Sequence, residues 1–320
     1  MGALTTQSAR SLAALSETEI IQRIVAALSD ACPIFPAGPG GDCAIFENQS
    51  DQKYRVSSID SVILGRHFDL ACSGAKAGRK LVERNLSDLA AAGATPSDAL
   101  LSFIAGADVE SDWLEDFAHG AGRAAAKVGL KIVGGDICRG TLGTFSATLA
   151  IQGHSSRVLT RRTCQAGDII FVTGKLGGSI YGHHLDFTAR LKEGQWLSGQ
   201  TAVTACTDLS DGLAKDLPGL IGSRCNAHIN LGAVPISDDA HALAKSDGKP
   251  ALEHALQDGE DYELLFTASP TQADLVAATF QKNFPKTLLS EIGKIEAGKG
   301  EVLSLADNQP IKSGGFSHFG

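Results

Sequence analysis

The sequence predicts an α/β (or α+β) protein of two domains, residues 1–153 and 154–320. Three observations carry this. A chain of 320 residues, 43% apolar and only 20% charged, is long enough for two well-filled domains. Helical and extended periodicities alternate along most of it, the pattern of sheets covered by helices. A polar, arginine-rich stretch at Gly153–Arg162 breaks the alternation and marks the boundary.

Taken in order, Ser16-Glu17-Thr18-Glu19 is a capping-box pattern before Ile20, Ile21, Ile24, Val25 and Leu28 at helical spacing. That helix stops near Ser29–Asp30, and Pro33, Pro36 and Pro39 mark a loop that delivers Asp42. Arg55–Asp60 and Ile132–Val133 read as strands, Lys76–Ala92 and Asp112–Val128 as helices, and Thr144–Ile151 as a β-branched, alternating strand. Past the connector, Asp168–Thr173 is a hydrophobic strand, and Gly174–Ser179 turns the chain toward a helix. This turn is glycine-rich but misses the phosphate-loop spacing, so it reads as an ordinary connection. Helices at Leu213–Ile221 and Thr271–Gln281 alternate with strands at Ala227–Leu231 and Tyr262–Thr267.

Net charge of −8 argues against a nucleic-acid partner, which calls for basic patches, but suits metal-complexed nucleotides. Seven cysteines, without C-x-x-C or Cys/His ligand spacing, argue against zinc and a disulfide framework and for reduced thiols in a cytoplasmic protein. No signal-peptide pattern is seen, and no apolar run approaches the roughly 18 residues of a membrane helix.

The chemistry lies in carboxylates set in apolar or glycine-flanked surroundings: Asp42, Asp60, Asp88, Asp136, Asp208 and Asp211. Buried carboxylates persist when paired or bound to a cation. With few basic neighbours in sequence, a shared set of magnesium ions serving phosphates is the economical reading, and phosphoryl transfer the reaction it implies. In a strand, Ser58 and Asp60 share one face and Ile59 takes the other, which suits either joint metal coordination or an ordinary polar edge. Asp88 stands inside a helix among Leu81, Val82, Leu86 and Leu89, where it needs a ligand unless it caps a broken helix. Gly134-Gly135-Asp136 ends a strand without side chains, leaving room for a nucleotide or simply a turn. Ser210 or Asp211 either caps the helix from Leu213 or presents that helix start to a cation-bridged phosphate. His67 is a substrate contact or a surface histidine. Arg139 and Arg161 are candidate phosphate contacts, with surface pairing the alternative for Arg139. Of the acids in Asp258–Glu263, one or two meet a ligand and the rest are solvated. His183 and His184 diverge by about 100° on a helix and read as structural.

The ordered series Gly-Asp-Cys-Ala-Ile (41–45), Ser-Ile-Asp-x6-His-Phe (58–68), Asn-Leu-Ser-Asp-Leu-Ala-Ala (85–91), Gly-Gly-Asp-Ile-Cys-Arg-Gly (134–140), Leu-Thr-Arg (159–161), Asp-Leu-Ser-Asp-Gly-Leu (208–213) and Gly-Glu-Asp-Tyr-Glu-Leu-Leu-Phe-Thr (259–267) resembles the thiamine-monophosphate kinases, in the aminoimidazole-ribonucleotide-synthetase-like superfamily. The resemblance implies a two-domain fold, with an N-terminal mixed sheet and helices pairing in a homodimer and a C-terminal α/β domain. It implies ATP-dependent phosphorylation of thiamine monophosphate to thiamine diphosphate, with several Mg2+ ions. By motif, Asp42, Ser58, Ile59, Asp60, Asp88, Asp136, Asp208 and Asp211 fall at metal positions. Gly135, Asp136, Arg161 and Ser210 fall at ATP positions, and His67, Glu260 and Phe316 at substrate positions. Asp211 and Arg161 take the catalytic roles.

Three departures stand out. Gly41 replaces one of two usual aspartates, and Ile59 replaces a threonine, a harmless change only if that residue ligates through its carbonyl. Phe316 keeps the ring of the usual Tyr or Trp without a polar handle. Two alternatives accompany this reading: another ATP-using member of the superfamily, and a non-catalytic binder of thiamine phosphates.

Overall fold

The computed structural model describes residues 15–28, 33–37, 41–47, 53–312 and 314–315. Helix α1 (Glu17–Leu28) starts with the expected box: Glu19 N–H donates to Ser16 Oγ at 3.3 Å, and Ser16 N–H donates to Glu19 Oε2 at 2.8 Å. The first sheet holds β1 (Ala44–Glu47), β2 (Tyr54–Ile63), β3 (Thr95–Ala105), β4 (Lys131–Arg139) and β5 (Phe145–Ser155), in the order β1-β2-β5-β3-β4. Only the β3–β4 pair is parallel, so the sheet is mixed. Its parallel pair is joined by helix α3 (Ser111–Lys127), as such a crossover requires.

One face of this sheet is covered by α2 (Gly74–Ala91), capped by Ser73 Oγ, which accepts from Lys76 N–H at 3.3 Å. Val56 and Val62 of β2, Leu149 and Ile151 of β5, and Leu81, Leu86 and Leu89 of α2 are essentially inaccessible there. Helices α2 and α3 meet backbone to backbone. A Cβ on Gly78 would stand 2.0 Å from the Phe117 carbonyl oxygen, and one on Gly120 would stand 2.1 Å from that of Ala75. Each such substitution would separate the helices and open the core. The other face carries exposed Ile59, Ile63, Leu100 and Ile104, and edge strand β4 exposes Val133 and Ile137.

The second sheet has the order β11-β8-β10-β6-β9-β7, built from β6 (Ile169–Thr173), β7 (Val203–Asp208), β8 (Cys225–Ile229), β9 (Leu264–Ala268), β10 (Leu289–Ala297) and β11 (Val302–Ser304). Both its faces are buried, which is why β6 and β9 read as continuous apolar runs. Phe171, Leu264 and Phe266 join the core that reaches back to α2, while Ile170, Val172 and Leu265 join a second core with Leu213, Leu217 and Leu220 of α6 (Leu213–Ile221). Helix α5 (Leu191–Ser198) packs against α2, and α7 (Asp238–Asp247), α8 (Ala251–Gln257) and α9 (Ala273–Asn283) lie further along the chain. A short four-residue helix, α4 (His183–Asp186), precedes α5. Among the described residues no helix is long and apolar enough to cross a membrane.

Most expected elements form within a few residues of their predicted bounds; β4 is much longer than Ile132–Val133. Strand β3 is absent from the sequence reading: Thr95-Pro96-Ser97-Asp98 looks like a turn, and the stretch 99–105 behind it is a short apolar run without period-2 alternation.

Candidate active site

Helix α2 runs unbroken past Asp88, so that residue does not cap a broken helix. Three side chains spaced four apart, Lys80, Arg84 and Asp88, occupy one helix face and reach β2, the turn after it and the loop before β9. Asp88 accepts a very short hydrogen bond from Ser58 Oγ on β2. Arg84 Nε donates to Asp60 Oδ2 at 2.8 Å, Nη2 to Oδ1 at 3.2 Å, and Nη1 to the Ser61 carbonyl at 2.7 Å. Lys80 Nζ donates to the His67 carbonyl at 2.8 Å and lies 2.6 Å from Glu260 Oε1.

The far wall comes from the end of β7 and the segments around 210 and 260. Asp208 Oδ2 accepts from Ser87 Oγ at 2.5 Å. Ser210 carbonyl accepts from Glu260 N–H, and Leu209 carbonyl from Tyr262 N–H, both at 2.8 Å. Glu260 and Tyr262 hold positive φ values of 54° and 50°, an uncommon backbone for side-chain-bearing residues that these two bonds help to fix. Together Asp60, His67, Arg84, Asp88, Asp208, Ser210, Asp211, Glu260 and Tyr262 line one cavity of about 200 Å³, with exposed Arg66 at its rim.

Asp42 adjoins this wall: Thr207 Oγ1 donates to its Oδ1 at 3.0 Å, and Arg161 Nε lies 3.5 Å from the same oxygen. Burial pushes the Asp42 carboxyl above its usual range despite Arg161. Burial, reinforced by the Asp208 and Asp60 charges, pushes Asp88 well up, and burial with the Asp42 charge raises Asp208 to about 7. Asp88 is half-buried by exposure, but that exposure is to the cavity. These groups destabilise one another's charge, the condition that added cations relieve. Their donor set is hard carboxylate and hydroxyl oxygen, which fits magnesium. Among the described residues, however, no three such side chains are already drawn into a closed metal shell, and Asp88, Asp208, Asp42 and Asp60 are instead engaged by Ser58, Ser87, Thr207 and Arg84.

Several expectations change. Neither Ser210 nor Asp211 caps α6. Asp216 reaches back instead, accepting from Asp211 N–H at 3.0 Å and Gly212 N–H at 3.1 Å. That leaves the Asp211 side chain to the cavity, 2.8 Å from Lys215 Nζ. Of the acids near Glu260, Asp261 and Glu263 are buried and Asp258 is half-buried, and all three have partners. Asp258 and Asp261 accept from Gly178 and Gly177 N–H at 2.8 Å each, and Glu263 pairs with Arg190 at 2.6 Å. Those same bonds consume the amides of the glycine-rich turn, so it serves structure rather than phosphate. His67 is buried, and its Nδ1 accepts from Ile63 N–H at 3.0 Å, which puts the ring proton on Nε2. His183 and His184 bond the Asp261 and Ser179 carbonyls, in keeping with structural roles.

Ile59 points away from the cavity, to the exposed face of β2. Gly135 and Asp136 do not join the cavity within this chain. They lie on β4, three strand spacings (about 14 Å) from β2. Gly135 is nonetheless required there, because a Cβ would stand 1.7 Å from the Leu101 carbonyl oxygen. Asp136 accepts only from the Cys138 thiol, at 3.1 Å, and Arg139 is exposed at the same strand's end. Phe316 lies outside the described residues. Sequence reasoning missed Lys80, Arg84, Ser87, Thr207 and Asp216. For Lys80 and Arg84 the missed signal was the repeated four-residue spacing that puts both on the helix face of Asp88.

Residues 40–154 match the family model of the AIR synthase related protein, N-terminal domain. A thiamine-monophosphate kinase of Rhodopirellula baltica is 34% identical over 77% of this chain and 80% of its own length. That of Escherichia coli is 33% identical over 88% of this chain and 91% of its own length. The solved structure of AaThiL complexed with AMPPCP and TMP superposes with a TM-score of 0.81 at 26% identity, covering 99% of this chain and 100% of that one.

Proposed function

The chain belongs to the thiamine-monophosphate kinase family, and from that premise we propose that it transfers the γ-phosphoryl group of ATP to thiamine monophosphate, giving thiamine diphosphate. The observation that carries the reading is the meeting of Asp60, Asp88, Asp208, Asp211, His67 and Glu260, from five chain segments, around one cavity.

A phosphate monoester is already a nucleophile near neutral pH, so in-line transfer needs no strong general base. The barrier is repulsion between two anionic reactants. Arg161 supplies a fixed positive charge for ATP, and the Ser210 hydroxyl a donor beside the transferring phosphate. Mg2+ ions held by Asp42, Ser58, Asp60, Asp88, Asp208 and Asp211, with Ile59 contributing only its carbonyl, would neutralise phosphate charge and align the two substrates. The Asp211 carboxylate is the group assigned to the reacting phosphates. His67, Glu260 and Phe316 are assigned to the thiamine moiety.

The homodimer belongs to this proposal, with the first sheet as its contact. Support comes from the apolar outer face of Ile59, Ile63, Leu100 and Ile104, whose exposure is hard to reconcile with a lone soluble chain. Edge strand β4 is also exposed on both faces. The same dimer accounts for Gly135 and Asp136, which would complete the partner's nucleotide site rather than their own. We divide the chain at 153/154 into an N-terminal ATP- and dimer-forming domain and a C-terminal domain. A cytoplasmic setting is supported by six free cysteines among the described residues, five of them buried. The deciding assay combines purified protein, Mg2+, ATP and thiamine monophosphate; thiamine diphosphate with stoichiometric ADP is expected, and its absence refutes the kinase.

A further inference from the structure

Lys80 has no solvent exposure, unusual for a lysine, and nothing in the phosphoryl-transfer reading uses it. A buried ammonium is costly unless it is fully engaged. Burial pulls its proton affinity down, and the Glu260 carboxylate pulls it back up. Its two contacts are informative. One is the His67 carbonyl at 2.8 Å, on the turn after β2; the other is Glu260 Oε1 at 2.6 Å, on the loop before β9. A single charge therefore ties together the two described residues assigned to the thiamine moiety, one from each sheet's side of the cavity.

The state of Glu260 follows from that contact. Its Oε1 also takes the Tyr262 hydroxyl at 3.4 Å, whereas Oε2 has no partner among the described residues. Tyr262 is itself fixed by stacking on Phe187, with ring centroids 3.9 Å apart. The carboxylate is thus anchored by one oxygen, and the other is left as an oriented acceptor at the cavity wall.

We propose that Lys80 is a positioning residue for the thiamine half of the substrate: anchored on the His67 carbonyl, it fixes Glu260, so that Glu260 Oε2 accepts from an N–H of the substrate's ring system. The idea rests on the kinase reading above, and it adds a specificity element that acts on the ring end rather than the phosphate end. Because Lys80 neutralises Glu260, the acceptor selects a hydrogen-bond donor by direction more than by net charge.

The test is a double-mutant cycle of Lys80→Met and Glu260→Gln, read as KM for thiamine monophosphate, KM for ATP and kcat. Turnover by the unmutated protein is measured first, and its absence would overturn the kinase reading and this inference together. With turnover present, K80M is expected to raise KM for thiamine monophosphate about tenfold while KM for ATP stays within about twofold. In the E260Q background, K80M should add nothing further. Equal rises in both KM values, or full multiplication of the two single effects, would overturn the role of Lys80 and leave the kinase standing. Should K80M fail to fold, the double variant compared with E260Q alone gives the same answer. A double variant that also fails to fold refutes the inference, because a lysine needed only to hold Glu260 is dispensable once that charge is gone.

Discussion

Arg84 grips Asp60 with two nitrogens, Nε to Oδ2 at 2.8 Å and Nη2 to Oδ1 at 3.2 Å, so both oxygens of a candidate metal ligand are engaged by the protein itself. Burial opposes the Arg84 charge, yet Tyr262, Asp60 and Glu260 around it hold the guanidinium above its ordinary value. Any cation that binds Asp60 therefore shares it with, or displaces, a permanent positive charge. Arg84→Met should destabilise the metal-free protein by about 2 kcal/mol, since Asp60 loses its charged partner while partly open to water. Mg2+ should recover more stability in that variant than in the unmutated protein. Urea denaturation with and without Mg2+ checks both statements; equal recovery would show that Asp60 takes no part in cation binding.

Asp211 is a cavity residue whose backbone, not its side chain, serves the start of α6 through Asp216. Asp211→Asn keeps that hydrogen bond and the shape of the side chain. Turnover is expected to fall by about a hundredfold or more, the usual consequence of weakening the hold on a cation that would stabilise transition-state charge. Tm should change little. Steady-state kinetics beside a thermal melt separate the two effects, and near-normal kcat would remove Asp211 from the catalytic assignment.

The carboxylates were legible because each breaks a local rule: Asp88 stands inside a helix beside Leu86 and Leu89 and before an alanine run, and Asp208 ends a buried strand. What was not legible was how they are held. Ser87–Asp208 and Thr207–Asp42 join residues more than a hundred positions apart, and no spacing rule brings such pairs together. The acids at 258–263 show the converse failure. Their charge density looks like a solvated loop, yet Asp261 and Glu263 are nearly inaccessible, because the amides of Gly177 and the guanidinium of Arg190 arrive from a distant segment. Strand β3 was lost for a local reason: a proline and polar residues open it, and the short apolar run 99–105 behind them has no period-2 alternation to mark it as a strand.

Asp136 gives a test of the dimer that a size measurement cannot. If it serves the partner's site, mixing Asp136→Asn protein with Asp211→Asn protein creates heterodimers with one intact site. Random reassortment makes about half the dimers mixed, each with one working site of two, so about a quarter of normal activity should return. Each variant alone should be nearly inactive. No recovery after verified subunit exchange would mean that Asp136 acts within its own chain or not at all.

The buried acids also fix how stability depends on pH. Asp208 keeps its proton in the folded protein up to about 7 because of burial and the neighbouring Asp42 charge, whereas in the unfolded chain it is lost near the ordinary 3.8. Between these values the folded state binds more protons than the unfolded state, so metal-free stability must fall as pH rises through the window. Asp42 and Asp88, raised for the same reason, push in the same direction. A divalent cation binds the ionised carboxylates and competes with those protons. The gain in Tm on adding Mg2+ should therefore be larger at about pH 8 than at about pH 5.5, and Asp208→Asn should flatten both the metal-free slope and the difference. Thermal melts over that range decide it. An Mg2+ gain that is the same at both ends would mean that the cation does not bind these acids.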